Sequence, residues 1–153
     1  MFLKVDRIHN INFETYGSSD GIPVLFIHGG PGLGYSESDK RFFDPSKHFI
    51  LFYDQRGCGR SIPTGSLEQN KTEHLIEDIL KLLDHLNIGS AHIFGGSWGA
   101  TLGVLFSAKY PNRSKSLVLR GFFSATKSTL DLYLQGGIKR NHPLVWESHF
   151  IGS

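Results

Sequence analysis

Four short apolar runs mark the first 121 residues of the 153-residue chain. They are PVLFI (from Pro23), HFILFY (from His48), AHIF (from Ala91) and KSLVL (from Lys115). Continuous runs of this length, stopped by glycines and polar residues, read as strands buried on both faces. Ahead of them, Phe2 to Tyr16 alternates apolar and polar on either side of His9-Asn10, which predicts a strand pair. GSSDG, from Gly17 to Gly21, is a turn by composition. The period changes after the polar loop from Cys58 to Lys71. Leu75, Ile76, Ile79, Leu82, Leu83 and Leu86 draw one helical stripe. The stripe predicts a helix over Glu73–Asn87, with Asn70 or Thr72 as N-cap and Gly89 past the end. A second helix is predicted from Trp98 to Tyr110, closed by Pro111. This order of strands and helices calls for an α/β fold, a mostly parallel sheet with helices on both faces.

Residues 1–125 carry that pattern, and residues 126–153 differ. The tail has a short stripe (Leu130, Tyr133, Leu134), a Gly-Gly break and a proline, but no further buried strand. Its Leu144, Val145, Trp146 and Phe150 read as core for something further or as an exposed apolar patch.

Charge and composition narrow the classes. A net charge of +2 with scattered Lys and Arg argues against nucleic acid. No run is long enough to span a membrane, and MFLKVDRIHN lacks the apolar centre of a signal peptide. A single cysteine, Cys58, excludes an internal disulfide, suits a reducing compartment and reads as a small residue in a turn. A cytoplasmic protein is expected. The 8 histidines include no H-E-x-x-H and no Cys-His cluster at zinc spacing, so neither metal nor cofactor is expected. His74 and His85 fall on the polar side of the first helix, and His142 and His149 in the tail are remote base candidates.

Three stretches carry chemistry. In Gly95-Gly96-Ser97-Trp98-Gly99 a serine stands where a strand turns into a helix, so its hydroxyl is pushed out at the sheet's carboxyl end. Glycines two before and two after relieve collisions with the neighbouring strand and helix. The free N–H groups and positive dipole end of the helix suit an oxyanion. His28-Gly29-Gly30-Pro31-Gly32 follows the first buried run. A nucleophilic serine needs two N–H donors; Trp98 can supply one, and a close-approaching glycine loop the other, with Gly30 favoured and Gly29 beside it. The loop is no phosphate cradle, because Pro31 removes a donor and the spacing of both phosphate-loop patterns is absent. His28 is a base candidate that more naturally braces the loop. Asp54-Gln55-Arg56-Gly57-Cys58-Gly59-Arg60-Ser61 ends the next run, at the edge where sites of open parallel sheets gather. There a buried Asp–Arg pair braces the loop, or Arg56 binds a carboxylate.

These stretches, in this order, resemble the proline iminopeptidase family of α/β-hydrolases. The phrases HGGPG, FFDP (Phe42 to Pro45), DQRGCGRS, GGSWGATL and LVLRGFF carry the likeness, which runs from about Gly21 to Glu147. The resemblance implies the N-terminal portion of that fold, lacking the cap and the last strands. It implies Ser97 as nucleophile and the N–H groups of Gly30 and Trp98 as oxyanion hole; His28, Gly29, Asp54 and Arg56 are read from their places at the strand ends as loop organisers. The implied reaction releases N-terminal proline from a peptide through an acyl-enzyme, without metal or cofactor. Leu33 departs from the family's loop, where a further glycine often stands. A larger departure is the ending. The order in this fold is serine, acid, histidine, and the resemblance puts acid and histidine on strands beyond a helical cap. No triad Asp or His is expected in this chain, with 126–153 as the start of the cap or a truncated tail. The chain alone is then expected to be inactive, with a bare sheet edge or the apolar tail promoting self-association. A small-acyl esterase or amidase of the same fold, and a non-catalytic self-associating remnant, remain as alternatives.

Overall fold

The computed structural model describes residues 1–124, 126–132, 136–137 and 139–147. Of the tail residues named above, Tyr133, Leu134, His149 and Phe150 lie outside the described residues, as do the side chains of Val145 and Trp146. The chain divides into two compact units, Met1–Phe122 and Phe123–Ser153.

The first unit is built on a six-stranded sheet, β1 (Phe2–Lys4), β2 (Asn10–Gly17), β3 (Ile22–Ile27), β4 (His48–Tyr53), β5 (Ala91–Gly96) and β6 (Ser114–Arg120). The spatial order is β1-β2-β4-β3-β5-β6. The contacts β4–β3–β5–β6 are parallel, whereas β1–β2 and β2–β4 are antiparallel. The order reverses at β3, between β4 and β5, which opens a crevice at the carboxyl ends of these strands. Two α-helices serve this sheet: α1, Thr72–His85, through its apolar stripe, and α2, Trp98–Lys109, which is apolar on most sides.

The period-2 alternation sorts the strands' side chains into two layers. Leu25, Ile27, Leu51, Tyr53 and Ile93 face α1 and α2, whose Leu75, Ile79, Leu82, Leu102 and Phe106 complete one core. Val24, Phe26, Ile50 and Phe52 point the other way and meet Tyr35, Phe43 and Phe94. Where the sequence predicts helices on both faces, both long helices of this unit pack on one. The second face carries a 3₁₀ turn (Glu37–Phe42) and an aromatic cluster centred on Phe26, Phe43, Phe52 and Phe94. At the far edge β6 pairs with β5 alone among the described strands, and Leu117, Val118 and Leu119 are exposed.

Helix α1 differs from prediction at both ends. Its N-cap position is Lys71, not Asn70 or Thr72. The Lys71 N–H donates to Nδ1 of His74 at 3.2 Å, so a side chain three residues on satisfies the capping residue's backbone. Asn70 turns instead to the carbonyls of Arg56 and Ser66. At the other end Asn87, with φ 55°, takes the left-handed position that Gly89 was expected to mark. Ile88 N–H then reaches Leu83 O (2.8 Å) and Asn87 N–H reaches Asp84 O (3.0 Å), a Schellman closure that tucks Ile88 into the core.

The second unit is described only in part. Its α3 (Lys127–Asp131) is capped by the Thr126 hydroxyl, which accepts from Thr129 N–H. Two short turns follow, α4 (Lys139–Asn141) and α5 (Pro143–Trp146).

Candidate active site

Ser97 stands between β5 and α2 with φ 53° and ψ −119°, a backbone conformation that costs a side-chain-bearing residue about 1–3 kcal/mol. Its N–H donates to Arg120 O (2.8 Å), and its side chain is exposed. The flanking glycines have the steric reason expected of them. A Cβ at Gly95 would stand 2.5 Å from Gly99 O, and one at Gly99 would run into the carbonyls of Ile27 and His28. Helix α2 can therefore press directly onto the end of β3.

A cavity of about 540 Å³ opens beside Ser97, lined among others by His28, Gly29, Asp39, Phe94 and Arg120. An added Cβ on Gly29 would lie 3.4 Å from the Ser97 Cβ, so the glycine loop passes against the serine. Gly30 follows with φ 131° and a cis bond to Pro31. Trp98 is half-buried, and its backbone N–H lies in the first turn of α2, where no intrahelical acceptor exists.

His28 is buried and both ring nitrogens are engaged. The Gln55 backbone N–H donates to Nε2 (3.0 Å), which leaves the proton on Nδ1, and Nδ1–H donates to Gly29 O (2.7 Å). Burial is the largest influence on this ring and lowers its pKa below the usual 6.5, against the raising effect of the Gly29 carbonyl. The ring is thus neutral and committed to the loop. The carbonyl of Gly29 and the N–H of Gly30 belong to one planar peptide unit and point in opposite directions. Holding the first toward His28 directs the second away from it.

Asp54 and Arg56 are both buried, but not as a pair. Asp54 accepts from Tyr35 N–H (2.9 Å), Asn12 Nδ2 (3.0 Å), Arg60 N–H (3.0 Å) and Arg60 Nε (2.8 Å). Burial raises its pKa, yet the hydrogen bonds and charge of Arg60 outweigh that and hold it below the ordinary carboxylate value. The Asp54 carboxylate closes the two glycine loops over itself; a Cβ on Gly59 would stand 2.5 Å from its Cγ. Arg56 goes elsewhere. Its Nη2 donates to Asp78 Oδ1 (2.7 Å), its Nε to Asp78 Oδ2, and its Nη1 to Asp6 Oδ2 (2.6 Å) and Gln69 O (2.9 Å). Burial alone would depress the guanidinium, but Asp78 and Asp6 more than offset it. With this many partners Arg56 is a tether between the β1–β2 turn, the loop after β4 and α1. Cys58 is buried in that loop, its thiol donating to Arg56 O (3.2 Å) and pushed up in pKa by burial.

Two residues near the serine escape sequence reasoning. Arg120 lines the cavity and stacks 5.1 Å over the Phe42 ring. Gln55, 2% exposed, joins His28 to Trp98: its Nε2 donates to His28 O (2.9 Å), and its Oε1 accepts the Trp98 indole N–H (3.2 Å). Only its place inside DQRG marks it in the sequence. Among the described residues no group of three or more His, Cys, Asp or Glu could hold a metal ion. No described helix is long and apolar enough to cross a membrane.

A strained serine at a strand-to-helix corner, over the switch point of a mostly parallel sheet, defines a class. Residues 22–140 match the alpha/beta hydrolase fold family, and the chain belongs to it. Within that family its sequence is similar to a proline iminopeptidase of Arabidopsis thaliana, with 46% identity over 145 residues, covering 95% of this chain and 38% of that protein. It is equally similar to the proline iminopeptidase of Neisseria gonorrhoeae, 46% identical over 147 residues, or 95% of this chain and 47% of that one. The chain spans about half or less of the length of these curated relatives. An alpha/beta hydrolase enzyme from a Medee basin deep-sea metagenome library superposes with TM-score 0.72 at 24% identity, over 99% of this chain and 56% of that one, a likeness of fold.

Proposed function

We propose that these residues form the nucleophile and oxyanion-hole half of a serine hydrolase that releases N-terminal proline from peptides. The observation that carries the reading is the Ser97 corner, whose φ of 53° and exposed side chain over a cavity match the demands of a nucleophile. Ser97 attacks the carbonyl of the N-terminal residue, and the backbone N–H groups of Trp98 and Gly30 hold the developing oxyanion. Similarity to the proline iminopeptidases supports the choice of substrate. His28 and Asp54 organise the loops rather than act as base and acid, and Arg56 tethers them. The triad's acid and histidine lie outside this chain. Residues 1–125 then serve as partial core, and 126–153 begin the cap. Without its base the serine keeps at most a residual acceleration of roughly 10³ to 10⁴ over water. The lone cysteine, Cys58, fits a cytoplasmic setting.

The test is a chimera in which the C-terminal half of the Neisseria gonorrhoeae relative replaces residues 126–153. Turnover of Pro-naphthylamide, abolished by Ser97→Ala, is the expected result. Hydrolysis of short p-nitrophenyl esters without Pro-naphthylamide turnover would replace the reading by an esterase. One observation favours a second role for the chain by itself: Leu117, Val118, Leu119 and Phe122 are exposed along and after the edge strand. Such an edge supports self-association, and sedimentation showing a concentration-independent monomer would remove it.

A further inference from the structure

We propose that Gln55 is a positioning residue that holds the two halves of the oxyanion hole in one frame, its side-chain amide bridging the Trp98 indole and the His28 carbonyl. The inference rests on the reading of Ser97 as nucleophile with Trp98 and Gly30 as donors. Those two donors come from different elements, the start of α2 and the loop after β3. An oxyanion hole works only if both are set before charge develops. Gln55 is the residue that touches both limbs. On one side its Oε1 fixes the indole of Trp98, and with it the first turn of α2. On the other, its backbone N–H fixes the His28 tautomer and its Nε2 holds the His28 carbonyl. From His28 the constraint passes through Nδ1–H to Gly29 O and so to the direction of the Gly30 N–H.

The side chain suits this task because an amide carries an acceptor and a donor on one rigid plane. It is nearly fully buried, so neither bond competes with water. A carboxylate could accept from the indole but would face the His28 carbonyl with a lone pair. An apolar residue would leave both groups unpaired.

Wild type, Gln55→Leu and Gln55→Glu, each as the 153-residue chain, distinguish the outcomes. The rate of Ser97 phosphonylation by a small fluorophosphonate is followed by mass spectrometry over hours at a series of pH values from about 9 down to about 5. Exchange of the Trp98 indole N–H is followed by NMR in a Trp146→Phe background. In Gln55→Leu the indole should exchange at least tenfold faster and Ser97 should label about tenfold more slowly, a fraction of the effect of deleting one oxyanion donor. Gln55→Glu should recover toward the wild-type rate at the same pH as its carboxyl becomes neutral and regains a donor, a pH dependence that a purely structural role would not produce. Equal labelling of wild type and Gln55→Leu would overturn the positioning role alone. Absence of Ser97 labelling in the wild type and also in the chimera carrying the C-terminal half of the relative would overturn the nucleophile reading and the positioning role with it; where only the chimera labels, the Gln55 variants are compared in it.

Discussion

The carboxyl ends of β3 and β4 and the edge strand β6 are both part of one sheet, yet they are finished to different degrees. At the first, nearly every polar group has a partner inside the chain: the Asp54 carboxylate accepts five hydrogen bonds, Arg56 engages two carboxylates, and Gln55 uses both ends of its amide. At the second, the strand's apolar side chains stand open on both faces, with Val118 52% exposed on the aromatic side and Leu117 and Leu119 on the helix side. The difference teaches that the loop apparatus around Ser97 is closed by partners within this chain, several of them 42 to 50 positions apart. The far side of the site is an edge strand whose apolar side chains are exposed.

The strongest way to break this contrast is Arg56→Ala. It leaves Asp78 buried and uncompensated and should cost about 3–5 kcal/mol in denaturant unfolding. A loss below about 1 kcal/mol would mean that the loop is not held by this tether. The pH dependence of stability sharpens the same comparison. His28 has a lowered pKa in the folded chain, so the unfolded chain binds its proton first. Stability should therefore fall as pH drops below about 6.5, and His28→Gln should flatten that limb. Asp54 also has a lowered pKa, so its contribution is present above the ordinary value of 3.8 and is lost only as pH falls further, through the folded value. Ser97→Gly should act in the opposite sense, adding about 1 kcal/mol by relieving the positive-φ strain while removing the hydroxyl proposed as nucleophile. Thermal unfolding reads it directly, and a destabilised variant would show that the corner is not strained. The smallest effect belongs to the edge. Val118→Lys should change stability by no more than about 0.5 kcal/mol while reducing self-association in sedimentation.

Much of this contrast can be read from the residues. The runs at Val24, Ile50 and Ile93 locate the inner strands because glycine or charge ends each of them abruptly. The glycine spacing around Ser97 points to the corner, because at a strand-to-helix corner Gly95 and Gly99 both stand where a Cβ would collide, although a glycine-rich turn with a capping serine shares the pattern. Helix α1's closure is less legible, because Asn87 and Gly89 can each adopt a left-handed turn. Burial of Ile88 beside Leu83, a tertiary event, decides between them. The arginine pairing is hidden for the same reason, as Arg60 and not Arg56 meets Asp54. One signal for it does exist. Asp78 sits three residues after Leu75 and four before Leu82, on the apolar stripe of α1, where a carboxylate needs a buried cation. Gln55 offers no such cue, because nothing in its neighbours names an indole 43 positions away as its partner.

The backbone at Ser97 sets two kinds of selection against each other. A library randomised at this codon and sorted for survival of heating should enrich glycine, the residue that accepts the corner without cost. The same library sorted by capture on an electrophilic phosphonate should return serine. A lineage that keeps serine at this corner is thus being chosen for what the hydroxyl does and not for how well the chain folds.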